Sequence, residues 1–353
     1  MSSQPVRICL TPRLQGVGGM VSFQARFAAA LAERGIEVSF DAADQPCAAV
    51  LVIGGTRHLA SLVSARRRGV RIVQRLDGMN WIHRQQRTGL RHFLRAEYGN
   101  WLLNLIRTRL ARHIVYQSSF SQTWWQQIYG SVPATTSVVY NGVDLAAYTA
   151  DGPGVRPQDR WRILMVEGSL MGGYEHGLES GMQLAAGLAS SEAAASGRPV
   201  ELMIAGRVSP TVKAAAQARV TEIAGGRPVS VHWAGLVARE RIPELDRSAH
   251  LLFSSDINAA CPNSVIEALA CGCPVVAYAT GALPELVTAD SGRLAAYGGD
   301  PWKLEPPNFG GLVQAAKPVL DQQEYFRSAA RKRAVEMFAL DTMVEGYLAA
   351  LLG

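Results

Sequence analysis

The residues best suited to chemistry stand in the run Cys261-Pro-Asn-Ser-Val-Ile-Glu-Ala-Leu-Ala-Cys-Gly-Cys-Pro-Val-Val-Ala277. Pro262 suits a first helical position, where its missing donor would be unpaired anyway. Gly272 suits the helix end, and Pro274 opens a strand. On the intervening helix Val265, Ile266 and Leu269 share one face and can pack on a sheet, while Asn263 and Glu267 share the other. The amides around Ser264 and Val265, at the positive end of the helix, fit a phosphate. Glu267 can accept two hydroxyl groups of a ribose; taken alone, it reads more simply as an exposed helix glutamate.

Other candidates lie in the first half. Gly16-x-Gly18-Gly19 follows a short β-type run and precedes a helix, so its amides can approach an anion or a sugar closely. Asp77 ends the strand-like run Arg71 to Arg75 and precedes Gly78. It can bind a sugar hydroxyl, receive an acceptor proton, or simply cap a helix. Asn80 and His83 are weaker candidates of the same region. Arg84, Arg87, Arg91 and Arg95 recur at spacings of three and four, which predicts one strongly basic helix face. Trp81, Leu90, Phe93 and Leu94 supply the apolar side, a pattern suited to an anionic membrane surface, an anionic acceptor or a core helix.

These segments need a scaffold that turns strand ends toward a ligand. Strand-like and helix-like runs alternate from Val6 to Tyr140 and again from Arg162 to Tyr278, which predicts parallel sheets covered on both faces. Asp151-Gly-Pro-Gly-Val-Arg-Pro157 is the clearest linker. The expected organisation is an N-terminal domain over 1–153 and a C-terminal domain over 154–339. A last helix near 340–353 is expected to pack back on the first domain, and a ligand cleft is expected between the two.

At 353 residues the chain is long enough for two cores. No apolar run approaches the ~18 residues of a membrane span, and the start lacks a secretory pattern. Five cysteines without a paired framework fit a reduced, cytoplasmic protein, and no zinc spacing occurs. Residues 1–150 hold 17 Arg and no Lys against 7 acids, a balance of +10; the remainder carries −4. No RNA-stacking strand or basic tail points to nucleic acid.

The segment Glu267-Ala-Leu-Ala-Cys-Gly-Cys-Pro-Val-Val resembles the second half of the Glu-x7-Glu signature of retaining glycosyltransferases of family 4. Gly18-Gly19, Asn141-Gly-Val-Asp144, Gly206, Gly235 and Gly281-Ala-Leu-Pro-Glu-Leu286 fall in family order, so the resemblance runs along essentially the whole chain. It implies an α/β, GT-B fold of two Rossmann-like doubly wound domains facing a central cleft. It implies a hexosyltransferase using a UDP- or GDP-sugar as donor substrate, without cofactor or metal, on a glycan or lipid-linked acceptor. Glu267 would bind the donor ribose; Asn263, Ser264 and Val265 the distal phosphate; Gly18 and Gly19 the donor from the first domain. Asp77 would be catalytic.

The chain departs from the family at two places. The first motif glutamate falls at Ala259, and Asp256, Asn258 or Cys261 are the available substitutes near the transferred sugar. Gly168-Ser169, followed by Met171-Gly-Gly-Tyr-Glu-His176, stands where the family carries Arg and Lys. Phosphate charge then falls to helix amides, Arg207, His176 or Arg13. These departures keep two alternatives open: a non-catalytic partner of the same fold, and another GT-B enzyme such as a sugar-nucleotide epimerase.

Overall fold

The computed structural model describes residues 6–16, 18–87, 89–170, 176–190 and 198–353, with His176 described by its backbone alone. The chain divides into two compact units. One comprises the residues up to Gly142 together with Leu340–Gly353, and the other is Val143–Ala339.

The first unit is built on a parallel six-stranded sheet in the order β2-β1-β3-β4-β5-β6. Its strands are β1 (Arg7–Thr11), β2 (Glu37–Ser39), β3 (Ala49–Ile53), β4 (Arg71–Leu76), β5 (His113–Tyr116) and β6 (Thr135–Val138). The run Ala-Val-Leu-Val-Ile of β3 is buried throughout, as a central parallel strand covered on both faces must be. Helices α1 (Gly19–Glu33), α2 (Leu59–Arg67), α3 (Leu90–Arg109) and α4 (Ser119–Tyr129) connect the strands. Ser118 starts α4 with a capping box, its hydroxyl accepting from Ser121 N–H while Ser121 reaches back to the Ser118 N–H.

The last helix, labelled α12 (Leu340–Leu352), belongs to this unit. Met343, Val344, Tyr347 and Leu351 are buried with Phe23 and Phe27 of α1 and with Ile8, Leu10, Val73 and Val115 of the sheet. Burying each such side chain contributes about 1.5–3 kcal/mol. Arg71 fixes the helix end by donating to the carbonyls of Ala350 (2.8 Å) and Gly353 (3.0 Å).

The second unit repeats the plan with a parallel sheet ordered β12-β11-β10-β7-β8-β9. Its strands are β7 (Trp161–Ser169), β8 (Val200–Arg207), β9 (Val229–Gly235), β10 (Leu251–Ser254), β11 (Val275–Tyr278) and β12 (Gly292–Ala295). Around them stand α5 (His176–Ser190), α6 (Pro210–Ala224), α7 (Ile242–Ser248), α8 (Asn263–Ala270), α9 (Leu283–Leu286), α10 (Phe309–Asp321) and α11 (Gln323–Met337). Helix α6 shows why the local sequence suffices for its ends. Ser209 caps it, Pro210 occupies its first position, and Gly225 closes it in the left-handed conformation.

Residues 143–157 belong to the second unit, where Arg247 of α7 binds the carbonyls of Thr149 (3.0 Å) and Pro153 (2.6 Å). The division falls at Gly142–Val143, ahead of the Gly-Pro stretch singled out in the sequence. Two further details differ from the sequence expectation. Pro262 caps α8 from outside with extended backbone, so the helix begins at Asn263. Gly89, at φ 87°, separates α3 from the 3-10 turn Ile82–Arg84, so Arg84 and Arg87 precede the helix that was to carry them.

Candidate functional site at the strand ends

In the second sheet the chain starts at β7, runs to β8 and β9 on one side, then crosses to β10, β11 and β12 on the other. The order reverses between β7 and β10, and open parallel sheets hold ligands at the carboxyl ends of the strands flanking such a reversal. Glu167, Gly168 and Ser169 end β7; Ser255 and Asp256 follow β10. The Ser255 hydroxyl donates to Glu167 Oε1. Burial, with the charge of Asp256 adding to it, pushes the Glu167 carboxyl up to about 8. Burial pushes Asp256 up to about 6. Burial and the neighbouring charge thus favour a neutral carboxyl at Glu167 near neutrality. Gly206, at φ 154°, lets β8 pass close to this pair, since a Cβ there would collide with the Glu167 carbonyl oxygen. Gly177 of α5 likewise leaves room for the Ser255 side chain.

Seven residues past Asp256, α8 begins with no side chain of the described residues capping it and no acid in its first turn. Its amides and dipole are thus open to an anion. Asn263 and Ser264 are half-buried, whereas the Val265 side chain is fully buried and offers only its backbone. Glu267 is 8% exposed, so it is not the solvent-facing residue that helix spacing implied. Its face of α8 packs on α7, where Asp246 is 1% exposed. Burial first, and the neighbouring Glu267 second, hold Asp246 well above the usual carboxylate range.

The loop into α8 is fixed from one side. Asn258, at φ 56°, donates its backbone N–H to Thr280 Oγ1 (3.3 Å), and Ala282 N–H donates to the carbonyl of Ala259 (2.9 Å). Gly281, at φ 59°, is required there, because a Cβ would lie 2.6 Å from the nitrogen and oxygen of Ala259. Asn258 itself is 4% exposed, and its side-chain nitrogen has no partner among the described residues.

The first sheet has its reversal between β1 and β3. Gly18, at φ 135°, caps α1 without any side-chain bond, and Gly19 is the first helical residue. Asp77 follows β4 and is half-buried, its carbonyl accepting from the indole N–H of Trp125 (2.8 Å). Burial raises its carboxyl, and Arg75 two residues earlier draws it back down. Arg75 is 1% exposed; it lies 4.1 Å from the Phe23 ring centroid and donates to Asn141 Oδ1 (3.1 Å).

A family model described as glycosyl transferases group 1 matches residues 172–305. Sucrose-phosphate synthase from Thermosynechococcus elongatus superposes at TM-score 0.68 and 15% identity, covering 98% of this chain and 99% of that one. Anabaena HepE in complex with UDP and glucose gives TM-score 0.68 at 17% identity, with the same coverage. WaaG, a glycosyltransferase involved in lipopolysaccharide biosynthesis, gives 0.65 at 16% identity over 99% of this chain and 100% of that one. No curated protein sequence matches the chain. The chain has the GT-B fold.

Within the second GT-B unit the strand ends gather Gly168, Ser169, Arg207, Asp256 and Asn258, and the adjoining helix supplies Asn263, Ser264 and Glu267. Ser169 pairs in register with Arg207, whose side chain is exposed. Gly18 and Gly19 at the start of α1, and Asp77 after β4, belong to the first unit. The His176 side chain and residues 171–175 lie outside the described residues. Sequence reasoning passed over Glu167, Ser255 and Asp246. The signal for Glu167 was present, since it is the last residue before the Gly168 turn of a β run. Asp246 gave none, because its meaning comes only from the helix packed against it. Among the described residues, no three His, Cys, Asp or Glu side chains form a group able to hold a metal.

Proposed function

We propose that the protein is a glycosyltransferase moving a sugar from a UDP- or GDP-sugar to a hydroxyl of a glycan or lipid-linked acceptor. In this reading transfer proceeds with retention and without a metal. It takes place on the cytoplasmic side, in bacterial surface polysaccharide or glycolipid assembly. The observation that carries the reading is Glu267 on α8, a helix that follows β10 within the matched stretch and whose start has no side-chain cap among the described residues.

Glu267 holds two ribose hydroxyls, and the first amides of α8 hold the distal phosphate as it takes on charge. With no Arg or Lys at Gly168-Ser169, Glu167 contributes as a neutral acid donating to a phosphate oxygen. Asp256 and Asn258 serve the transferred sugar in place of the glutamate missing at Ala259. Asp77, with its carboxyl raised by burial, takes the acceptor proton. Retention rests on the resemblance of the Glu267 segment, and UDP as donor nucleotide is supported by the HepE complexes with UDP and with UDP-glucose.

A screen of UDP, GDP and their sugars by thermal stabilisation and calorimetry tests the reading. Binding at micromolar to millimolar concentration that survives EDTA is expected. Failure of every nucleotide at millimolar concentration overturns it and leaves the non-catalytic alternative.

A further inference from the structure

Helix α3 does not fit the rest of the first unit. Residues 89–95 are all exposed, so the first turn and a half of the helix stands proud, with Phe93 edge-on to His83 on one side. Four large apolar side chains fall at successive spacings of four, four and three along one face. Leu90 is 75% exposed, Leu94 60%, Tyr98 45% and Trp101 54%, with Phe93 beside them at 39%. Tyr98 and Trp101 stack at 5.8 Å, forming a flat aromatic end to the stripe. Isolated exposed leucines are ordinary, but a contiguous apolar stripe on a protruding helix marks a docking surface.

The charge around the stripe says what docks. Glu97 is the one acid in α3, and it is already taken. It accepts from Arg84 Nε (2.6 Å) and Nη2 (2.8 Å), lies 2.8 Å from His83 Nε2, and is held down to about 2. Arg87, Arg91 and Arg95 form no ion pair with any described residue. A face combining leucines, interfacial aromatics and uncompensated arginines matches acyl chains, the headgroup boundary and anionic headgroups in turn.

We propose that this face of α3 seats the first unit on an anionic lipid bilayer. Leu90, Leu94 and Trp101 enter the acyl boundary, and Arg87, Arg91 and Arg95 meet the headgroups. The proposal deepens the reading given under Proposed function, by naming the surface where a lipid-linked acceptor is met. Its physical basis in α3 is independent of nucleotide binding.

Co-sedimentation of the full chain with vesicles of phosphatidylglycerol and phosphatidylcholine, against phosphatidylcholine alone, tests it. Binding to the anionic vesicles that weakens with salt is expected. Arg91→Glu with Arg95→Glu lowers partitioning at least tenfold, since each basic residue near the surface is worth about fivefold. Leu94→Ser with Trp101→Ser lowers it about a hundredfold. Both pairs change exposed side chains, and unaltered melting and UDP binding show that each variant is folded. Wild-type protein that ignores anionic vesicles, binds neutral ones equally, or is unaffected by either pair overturns the proposal. So does a stable dimer in light scattering that the Leu94 and Trp101 substitutions dissolve, because a second copy then covers the face. Loss of UDP binding with vesicle binding intact refutes the donor reading alone.

Discussion

The two sheets share one architecture and carry opposite furnishings at their carboxyl ends. Each has six parallel strands and one reversal of order beside its first strand. At the first, a glycine loop and Asp77 stand near a buried guanidinium, Arg75, which lowers the acid that burial raises. At the second, acid faces acid: Glu167 beside Asp256, and Glu267 beside Asp246. There burial and like charge act in the same direction, and a proton is the cheapest neutraliser. The scaffold thus decides where a ligand can meet the chain. The charged residues at and around those strand ends decide the sign of charge it meets.

The largest expected effect separates the two ends by role. Asp77→Asn should lower transfer about a thousandfold while leaving UDP affinity within a factor of about three, as removal of a general base does. Product formation and calorimetry on the same sample measure both, and an equal fall in affinity would place Asp77 in donor binding. Next, Glu267→Ala should weaken UDP about a hundredfold through loss of two charge-assisted hydrogen bonds of about 1.5 kcal/mol each. A parallel collapse in melting temperature, without a larger loss in affinity, would make Glu267 structural.

The acid pair predicts a smaller, pH-dependent effect. Glu167 is neutral below about 8, so UDP affinity should fall about tenfold as pH rises from 7 to 9, where the ionised pair repels the diphosphate. Stability should move the same way. A carboxyl raised from 4.5 to about 8 on folding makes the native state the better proton binder. Its contribution is complete below about 4.5 and is lost as pH rises through about 8, with a slope of about 1 kcal/mol per unit. Glu167→Gln should flatten both profiles, and a variant that keeps the wild-type slope would remove Glu167 from the account.

The smallest effect tests the first end again. Gly18→Ala should cost about 1 kcal/mol by strain at φ 135°, since no atom crowds the position. A loss of several kcal/mol in a denaturant melt would mean that the loop is packed more tightly than its open surroundings show.

Much of this was legible in the residues themselves. Alternating runs ending in glycine or proline marked most strands and helices through Tyr278, because the backbone preferences of those residues are local. Two such series marked two parallel-sheet units, and the GT-B fold was implied by the resemblance of the Glu267 segment. The start of α8 was legible to within one residue, since Pro262 marks it. Glu267 was singled out by the resemblance of its segment, while its helix position taken alone read as solvent-exposed. Only the packing of α7 on α8 buries it against Asp246, a pairing between residues far apart in the chain. The raised carboxyls of Glu167 and Asp256 are tertiary for the same reason. Nothing near either residue in sequence announces the other, and their coupling arises because the sheet reverses its order between β7 and β10. Helix α3 runs the other way. Its composition allowed a core helix, and Gly89 at its start left the basic residues before it outside. Whether its leucines were buried depended on which elements the fold laid over them, and Leu90 and Leu94 stay exposed while Phe93 meets His83.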